Sequence, residues 1–105
     1  MATPQYQLYI AGGGRQLATT AGTAIQLSTT SIPCFGIEVS PVSTNTAPIV
    51  VGNSTALYTF ASRVGYSLFA STGGHFFYCK DLNAVYIDGV STEGVSFLYY
   101  LNSVP

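Results

Sequence analysis

The stretch that decides the fold is near the end of the chain, at residues 95–101, and reads Val-Ser-Phe-Leu-Tyr-Tyr-Leu. Aromatic and β-branched residues of this kind suit a pleated strand. Successive side chains of a strand point to opposite faces, so Phe97 and Tyr99 share one face while Leu98 and Tyr100 share the other. Both faces are apolar, which predicts cover on both sides. The outer cover is either a loop of the same domain or another subunit.

Shorter runs of the same residue types extend back along the chain, and Gly, Pro, Ser or Thr interrupt them about every eight to twelve residues. No window sustains the apolar period of about 3.6 residues that marks a helix. We therefore predict an all-β fold, a single-domain antiparallel β-sandwich or jelly-roll-like barrel with an extended N-terminal arm. The predicted strands are residues 5–10, 14–20, 24–28, 34–39, 49–51, 56–60, 66–70, 75–79, 84–87 and 95–101.

Two dipeptides that contain glycine predict turns. Asp88-Gly89 follows the run that ends at Ile87, and Asp-Gly favours a two-residue hairpin, although a longer bulged loop before Val95 is also open. Gly73-Gly74 separates two aromatic runs and predicts another hairpin.

Residues 11–31 differ from the rest of the chain. They contain Gly12-Gly13-Gly14 and a stretch of small residues that fits a flexible linker, an edge strand or an arm that orders on a neighbour. We therefore divide the chain into an N-terminal arm or edge strands at residues 1–24 and a β-sandwich domain at residues 25–105.

The composition excludes several classes of function. Hydrophobic residues make up 48% of the chain and charged residues only 7%. This composition excludes a disordered chain, which would be poor in hydrophobic residues and rich in charge. Three basic side chains cannot neutralise many phosphates, so we expect no nucleic acid as partner. No run of about 18 apolar residues is present, so we expect no membrane partner. The N-terminal residues lack the pattern of a signal peptide, and we expect synthesis in a cytosol.

Residues with chemical potential are few. His75 is the only histidine and begins an aromatic run, so we interpret it as a packing or hairpin-edge residue. The carboxylates are Glu38, Asp81, Asp88 and Glu93, and two of them lie in turn contexts where acidic residues are common. We predict no catalytic residues, no metal site and no cofactor, and hence no enzyme.

The two cysteines, Cys34 and Cys79, do not make a disulfide framework. In a cytosolic protein the default is two buried thiols, with a disulfide as the alternative if the fold brings them together.

The aromatic content points instead to an interface. Eight Tyr and six Phe accompany a net charge of only −1, and such a surface is compatible with extensive burial in a symmetric oligomer or shell. We favour slightly the interpretation that the outer face of the final strand packs on another subunit. The predicted subunit or capsid interface comprises Tyr6, Leu8, Tyr9, Leu98 and Tyr100.

Five stretches of the chain form a familiar order: 34–39 (Cys-Phe-Gly-Ile-Glu-Val), 43–45 (Ser-Thr-Asn), 49–52 (Ile-Val-Val-Gly), 82–89 (Leu-Asn-Ala-Val-Tyr-Ile-Asp-Gly) and 93–99 (Glu-Gly-Val-Ser-Phe-Leu-Tyr). In this order, about three quarters of the chain, residues 27–101, resembles small β-sandwich accessory proteins of tailed-phage virions, including capsid decoration (cement) proteins and small head-fibre or tail-associated modules.

The resemblance implies a structural virion protein on the capsid exterior. Such proteins commonly form homotrimers at local threefold positions of an icosahedral phage head, where they bind the major capsid protein and stabilise contacts between its subunits. On this hypothesis residues 1–24 contact the capsid or an adjacent protomer.

Two alternatives remain open. A carbohydrate- or receptor-binding β-sandwich module of a phage fibre or tail would use exposed tyrosines for stacking, with Tyr9, Tyr58, Tyr66 and Tyr86 as candidates. A self-assembling fibre or sheath protein would form open polymers.

Overall fold

A computed structural model describes residues 7–57, 59, 63–71 and 73–103 of the chain. Eight strands and one short 3-10 turn, Leu82–Ala84, form the described part. The strands are β1 (Gln7–Leu17), β2 (Ile25–Gln26), β3 (Gly36–Pro41), β4 (Ile49–Gly52), β5 (Tyr66–Leu68), β6 (His75–Tyr78), β7 (Tyr86–Asp88) and β8 (Gly94–Ser103).

The strands form two antiparallel four-stranded sheets that pack face to face. Sheet A has the order β1-β8-β3-β6, and sheet B has the order β2-β7-β4-β5. Strands therefore pair as first with eighth, second with seventh, third with sixth and fourth with fifth. This pairing is the jelly-roll arrangement of a sandwich. The all-β prediction is confirmed. In the part of the chain that the structure describes, no helix is long and apolar enough to span a membrane.

The core lies between the two sheets and follows the alternation of the strands. On β3, Ile37 and Val39 point inward and are fully buried, whereas Glu38 between them is exposed. On β4 of sheet B, Ile49 and Val51 also point inward and are buried in the core. The other buried members of the core are Leu27, Leu68, Leu82, Val85, Ile87, Val95 and Phe97.

The N-terminal segment contains one long strand where two were predicted. β1 pairs with β8 from Gln7 to Leu17, with a bulge between Ile10 and Gly12. The glycines that suggested a linker are strand residues. A Cβ on Gly12 would lie 2.6 Å from the Tyr99 hydroxyl oxygen, so only glycine leaves room for the aromatic side chains of β8. Residues 7–17 thus form an edge strand of the sandwich itself.

The two predicted hairpins at Asp88-Gly89 and Gly73-Gly74 are wrong. β7 lies in sheet B and β8 in sheet A, so they do not pair with each other. Likewise, β5 lies in sheet B and β6 in sheet A. Consecutive strands of this fold change sheets, except for β4 and β5. Both glycine-containing dipeptides therefore lie at connections that cross from one sheet to the other.

Candidate protein-binding face

The outer face of sheet A can be assigned from its register, because residues directly opposite in an antiparallel pair point to the same side. Leu98 lies opposite Gly13 on β1 and Glu38 on β3. Tyr100 lies opposite Ile10. We call this outer surface the open face. Its apolar residues are Leu8, Ile10, Phe76, Tyr78, Leu98 and Tyr100, with Phe35 at the margin.

Aromatic rings form a connected cluster on the open face. The ring of Phe76 lies 5.1 Å from that of Tyr78 and 5.8 Å from that of Tyr100, and Phe35 lies 5.4 Å from Tyr78, all in edge-to-face geometry. The Tyr78 side chain is nevertheless 75% exposed. Edge-to-face packing fixes the ring orientations, so the cluster presents a preformed apolar surface to solvent.

Part of the face extends beyond the sandwich. Strand β8 pairs with β3 only as far as Tyr100, which lies opposite Gly36. From Leu101 to Ser103, β8 pairs with β1 alone. This two-stranded segment, which we call the ribbon, comprises residues 7–9 and 101–103. The molecule accordingly measures 54 × 27 × 22 Å. Leu8 is 42% exposed on one side of the ribbon and Tyr9 48% on the other.

The predicted interface residues thus fall in one region. Leu8, Leu98 and Tyr100 share the open face, and Tyr9 lies opposite Leu101 on the other side of the ribbon. Tyr6 is outside the described residues.

Four further residues of the open face were not predicted from the sequence: Ile10, Phe35, Phe76 and Tyr78. Alternation within residues 75–78, His-Phe-Phe-Tyr, places an aromatic residue on each face of β6. This pattern is the same signal that identified β8.

A depression interrupts the open face because Gly13 has no side chain opposite Leu98. Its lining also includes Ser40, Ser96 and the exposed Glu38. The Glu38 side chain forms no hydrogen bond with any residue that the structure describes. Glu38 is the only Asp or Glu on the strands of sheet A, and Arg15, opposite Ser96, is the only Lys or Arg. The open face therefore presents mainly apolar groups, with one carboxylate beside a cleft and one guanidinium.

The outer face of sheet B is covered. Val50 and Asp88 are directly opposite each other and point away from the core, yet both are 0% exposed. The Asp88 carboxylate accepts a hydrogen bond of 3.0 Å from the backbone N–H of Gly22, in the segment between β1 and β2. On the β4–β5 side, Gly65 approaches so closely that a Cβ there would lie 2.5 Å from Val50. The connections between strands thus seal this face.

The other two carboxylates also stabilise loops. Asp81 accepts from the Ser31 hydroxyl and from the N–H groups of Asn83 and Ile32, and these hydrogen bonds lower its pKa. Burial raises the pKa of Glu93, but donation from the hydroxyl and N–H of Thr46 and from the N–H of Ala47 outweighs it, and the net shift is downward.

The tyrosines proposed for sugar stacking do not form one platform. Tyr66 stacks on His75 with ring centroids 4.4 Å apart and contacts Phe77 edge-to-face at 5.5 Å. These rings close the margin of the sandwich between β5 and β6, which places His75 in a packing contact. Tyr86 is in sheet B and Tyr9 on the ribbon, and Tyr58 is outside the described residues.

The cysteines lie side by side. The Sγ atoms of Cys34 and Cys79 are 3.2 Å apart and both side chains are half-buried against the core. Burial, together with hydrogen bonding to Cys34, raises the pKa of Cys79 to about 12. Among the described residues, no group of three or more His, Cys, Asp or Glu side chains could hold a metal ion.

Comparison of the chain with protein-family models, with curated proteins and with solved structures finds no match.

Proposed function

We propose that this chain is a structural virion protein that decorates the outside of an icosahedral phage head and stabilises contacts between major capsid subunits. The observation that carries the proposal is the open face, where apolar and aromatic side chains are ordered in the chain but left uncovered. Soluble monomers rarely expose a contiguous apolar patch of this kind unless it binds a partner.

We assign the open face to contacts between copies of the chain. In a homotrimer the three open faces would turn toward the threefold axis and bury Leu98, Tyr78 and Phe76. Large aromatic side chains lose little conformational entropy on burial and dominate binding energy at interfaces. The 7% content of charged residues adds support, because few charges then need to be removed from water on association.

We assign the ribbon to the major capsid protein. A two-stranded ribbon is marginally stable when nothing packs on it, and this one carries Leu8 and Tyr9 on opposite sides. It extends past the last residue of β3 that pairs with β8, so it can reach a neighbouring protein when the open face is occupied. Three ribbons on one trimer would bind with an avidity far above that of a single contact.

The proposal includes a location. The chain would be made in the host cytoplasm and would reach the capsid exterior by binding preassembled heads. Membrane and nucleic acid play no part in this binding, because protein contacts supply the affinity.

Cosedimentation with phage heads assembled without this chain tests the proposal. We expect the wild-type protein to pellet with the heads and Tyr9→Ser to bind at least tenfold more weakly while remaining a trimer. Leu98→Asp should be monomeric and should therefore bind the heads more weakly by a factor of the order of 10²–10⁴, because a single chain lacks the avidity of three linked contacts. Val64→Asp is the matched control, because Val64 is 46% exposed but lies in the β4–β5 connection. Absence of wild-type binding, or equal binding by all four proteins, would contradict the proposal.

Carbohydrate binding is the second candidate, and the exposed ring of Tyr78 favours it. A glycan array distinguishes the two functions. Saturable glycan binding that Tyr78→Ser abolishes, together with no binding to heads, would support the fibre or tail module.

A further inference from the structure

The two cysteines lie side by side just beyond the ends of two paired strands of sheet A. Cys34 precedes β3 and Cys79 follows β6, and backbone hydrogen bonds continue the pairing of these strands through the site. The N–H of Cys34 donates to Lys80 at 3.0 Å, and the N–H of Cys79 donates to Phe35 at 3.2 Å. The backbone therefore holds the two Sγ atoms within 3.2 Å of each other, although 45 positions separate them in sequence.

The site is accessible from one side. Both cysteines contact the core, but they also line an open groove with Phe35, Tyr78 and Lys80. A small reagent can therefore reach the thiols of an unassembled chain without unfolding of the sandwich, whereas a partner that covers Tyr78 would restrict this access.

We propose that Cys34 and Cys79 are a redox modification site, at which a low-molecular-weight disulfide such as oxidised glutathione converts the two thiols into an intramolecular disulfide. The two protein thiols are oxidised and one glutathione disulfide is reduced to two glutathione thiols. One S–S bond forms in the protein as one breaks in the reagent, and the two thiol protons pass to the two departing glutathione sulfurs. The proposal does not depend on the proposed function.

The reaction has two steps. One of the two thiols attacks the reagent as a thiolate and releases one glutathione, so that its sulfur then carries a mixed disulfide. The Sγ atom of the other cysteine, 3.2 Å away, attacks that sulfur and releases the second glutathione.

The crosslink would stabilise a vulnerable margin of the fold. β6 is an edge strand with one neighbour, β3, and the disulfide would fasten these two strands together. It also closes a long loop, which restricts the unfolded chain. We expect the thiol form in a reducing cytoplasm and the disulfide form outside it.

The test compares native protein incubated with oxidised glutathione and with dithiothreitol. After oxidation we expect the intact mass to fall by two hydrogen atoms, proteolysis to yield one peptide pair joined through Cys34 and Cys79, and Tm to rise by about 10 °C. The Cys34→Ser/Cys79→Ser double variant should show the same Tm under both conditions.

Single variants test the second step. Cys34→Ser and Cys79→Ser should each stop at the mixed disulfide and gain the mass of one bound glutathione, because neither has a second thiol to displace it. The proposal is overturned if both wild-type thiols remain open to alkylation after oxidation, if the disulfide joins two chains, or if its formation leaves Tm unchanged.

Discussion

The outer faces of the two sheets differ in whether the chain itself covers them. On sheet B the outward residues Val50 and Asp88 are sealed beneath connections between strands, and the carboxylate of Asp88 is used to hold one of them. On sheet A the outward residues Leu98 and Tyr78 remain 38% and 75% exposed. An outward apolar side chain of this fold is therefore either covered by a loop of its own chain, as on sheet B, or left exposed, as on sheet A.

The difference follows from where the connections run. Gly22, in the segment after β1, and Gly65, in the segment after β4, both lie against outward residues of sheet B. We interpret the uncovered sheet as the side of the molecule that binds and the covered sheet as the side that stabilises.

The largest expected effect comes from placing a charge on each face. Val50→Asp should lower the free energy of unfolding by about 3–5 kcal/mol, because it buries an unpaired carboxylate. Leu98→Asp should change the stability within each chain by less than about 0.5 kcal/mol, as exposed substitutions do, apart from the loss of the trimer contacts proposed above. Urea denaturation of the wild type and both variants at several protein concentrations measures the difference, because only the contribution of the trimer contacts depends on concentration. If Val50→Asp does not fold, Val50→Ala replaces it, with an expected loss of about 2 kcal/mol. Equal losses at the two positions would show that the faces do not differ.

A smaller effect is expected at the acidic residues of the two faces. Asp88→Ala should cost about 2 kcal/mol, since it removes a fully buried carboxylate together with its hydrogen bond from the N–H of Gly22. Glu38→Ala, on the open face, should cost less than about 0.5 kcal/mol. Thermal unfolding at neutral pH provides the measurement. A loss at Glu38 as large as that at Asp88 would contradict the assignment of Glu38 to an uncovered surface.

The mildest effect should appear in acid. The pKa values of Asp81 and Glu93 are lowered in the folded chain, so the folded state binds fewer protons than the unfolded state near the ordinary carboxyl range. Their stabilisation is complete above about pH 4.5 and is lost as pH falls through the lower folded values. We expect Tm to drop below that pH. The drop should be shallower for Asp81→Asn and for Ser31→Ala, which removes one donor to the carboxylate.

A series of Tm measurements from pH 6 down to pH 2, about the range in which carboxyl groups protonate, provides the test. The same pH dependence in wild type and in Asp81→Asn would rule out a contribution from this carboxylate.

Much of the fold was predictable from local alternation. The pattern around Ile37 and Val39 identified a half-buried strand, and residues 95–101 identified the strand that became β8. Which sheet a strand enters was not predictable. Asp88-Gly89 has the composition of a tight hairpin, but the side chain of Asp88 is directed to a backbone group 66 positions away, and no local signal reports such a contact.

The candidate site was predictable in part for the same reason. Leu98 and Tyr100 followed from the two apolar faces of one strand. Phe76 and Tyr78 joined them only because β6 pairs with β3 and β3 pairs with β8, two contacts between distant parts of the chain. Side-chain type was visible in the sequence, whereas the sheet that unites these side chains was not.

The most direct test of the open face is the solution mass of the purified wild-type protein, measured by light scattering over a range of concentrations beside Leu98→Asp and Val64→Asp. We predict a mass of three chains of 11.1 kDa that does not change with dilution for the wild type and for Val64→Asp, and a monomer for Leu98→Asp. A wild-type protein that is monomeric at every concentration, or a Leu98→Asp variant that assembles like the wild type, would contradict the claim that this face binds other copies of the chain.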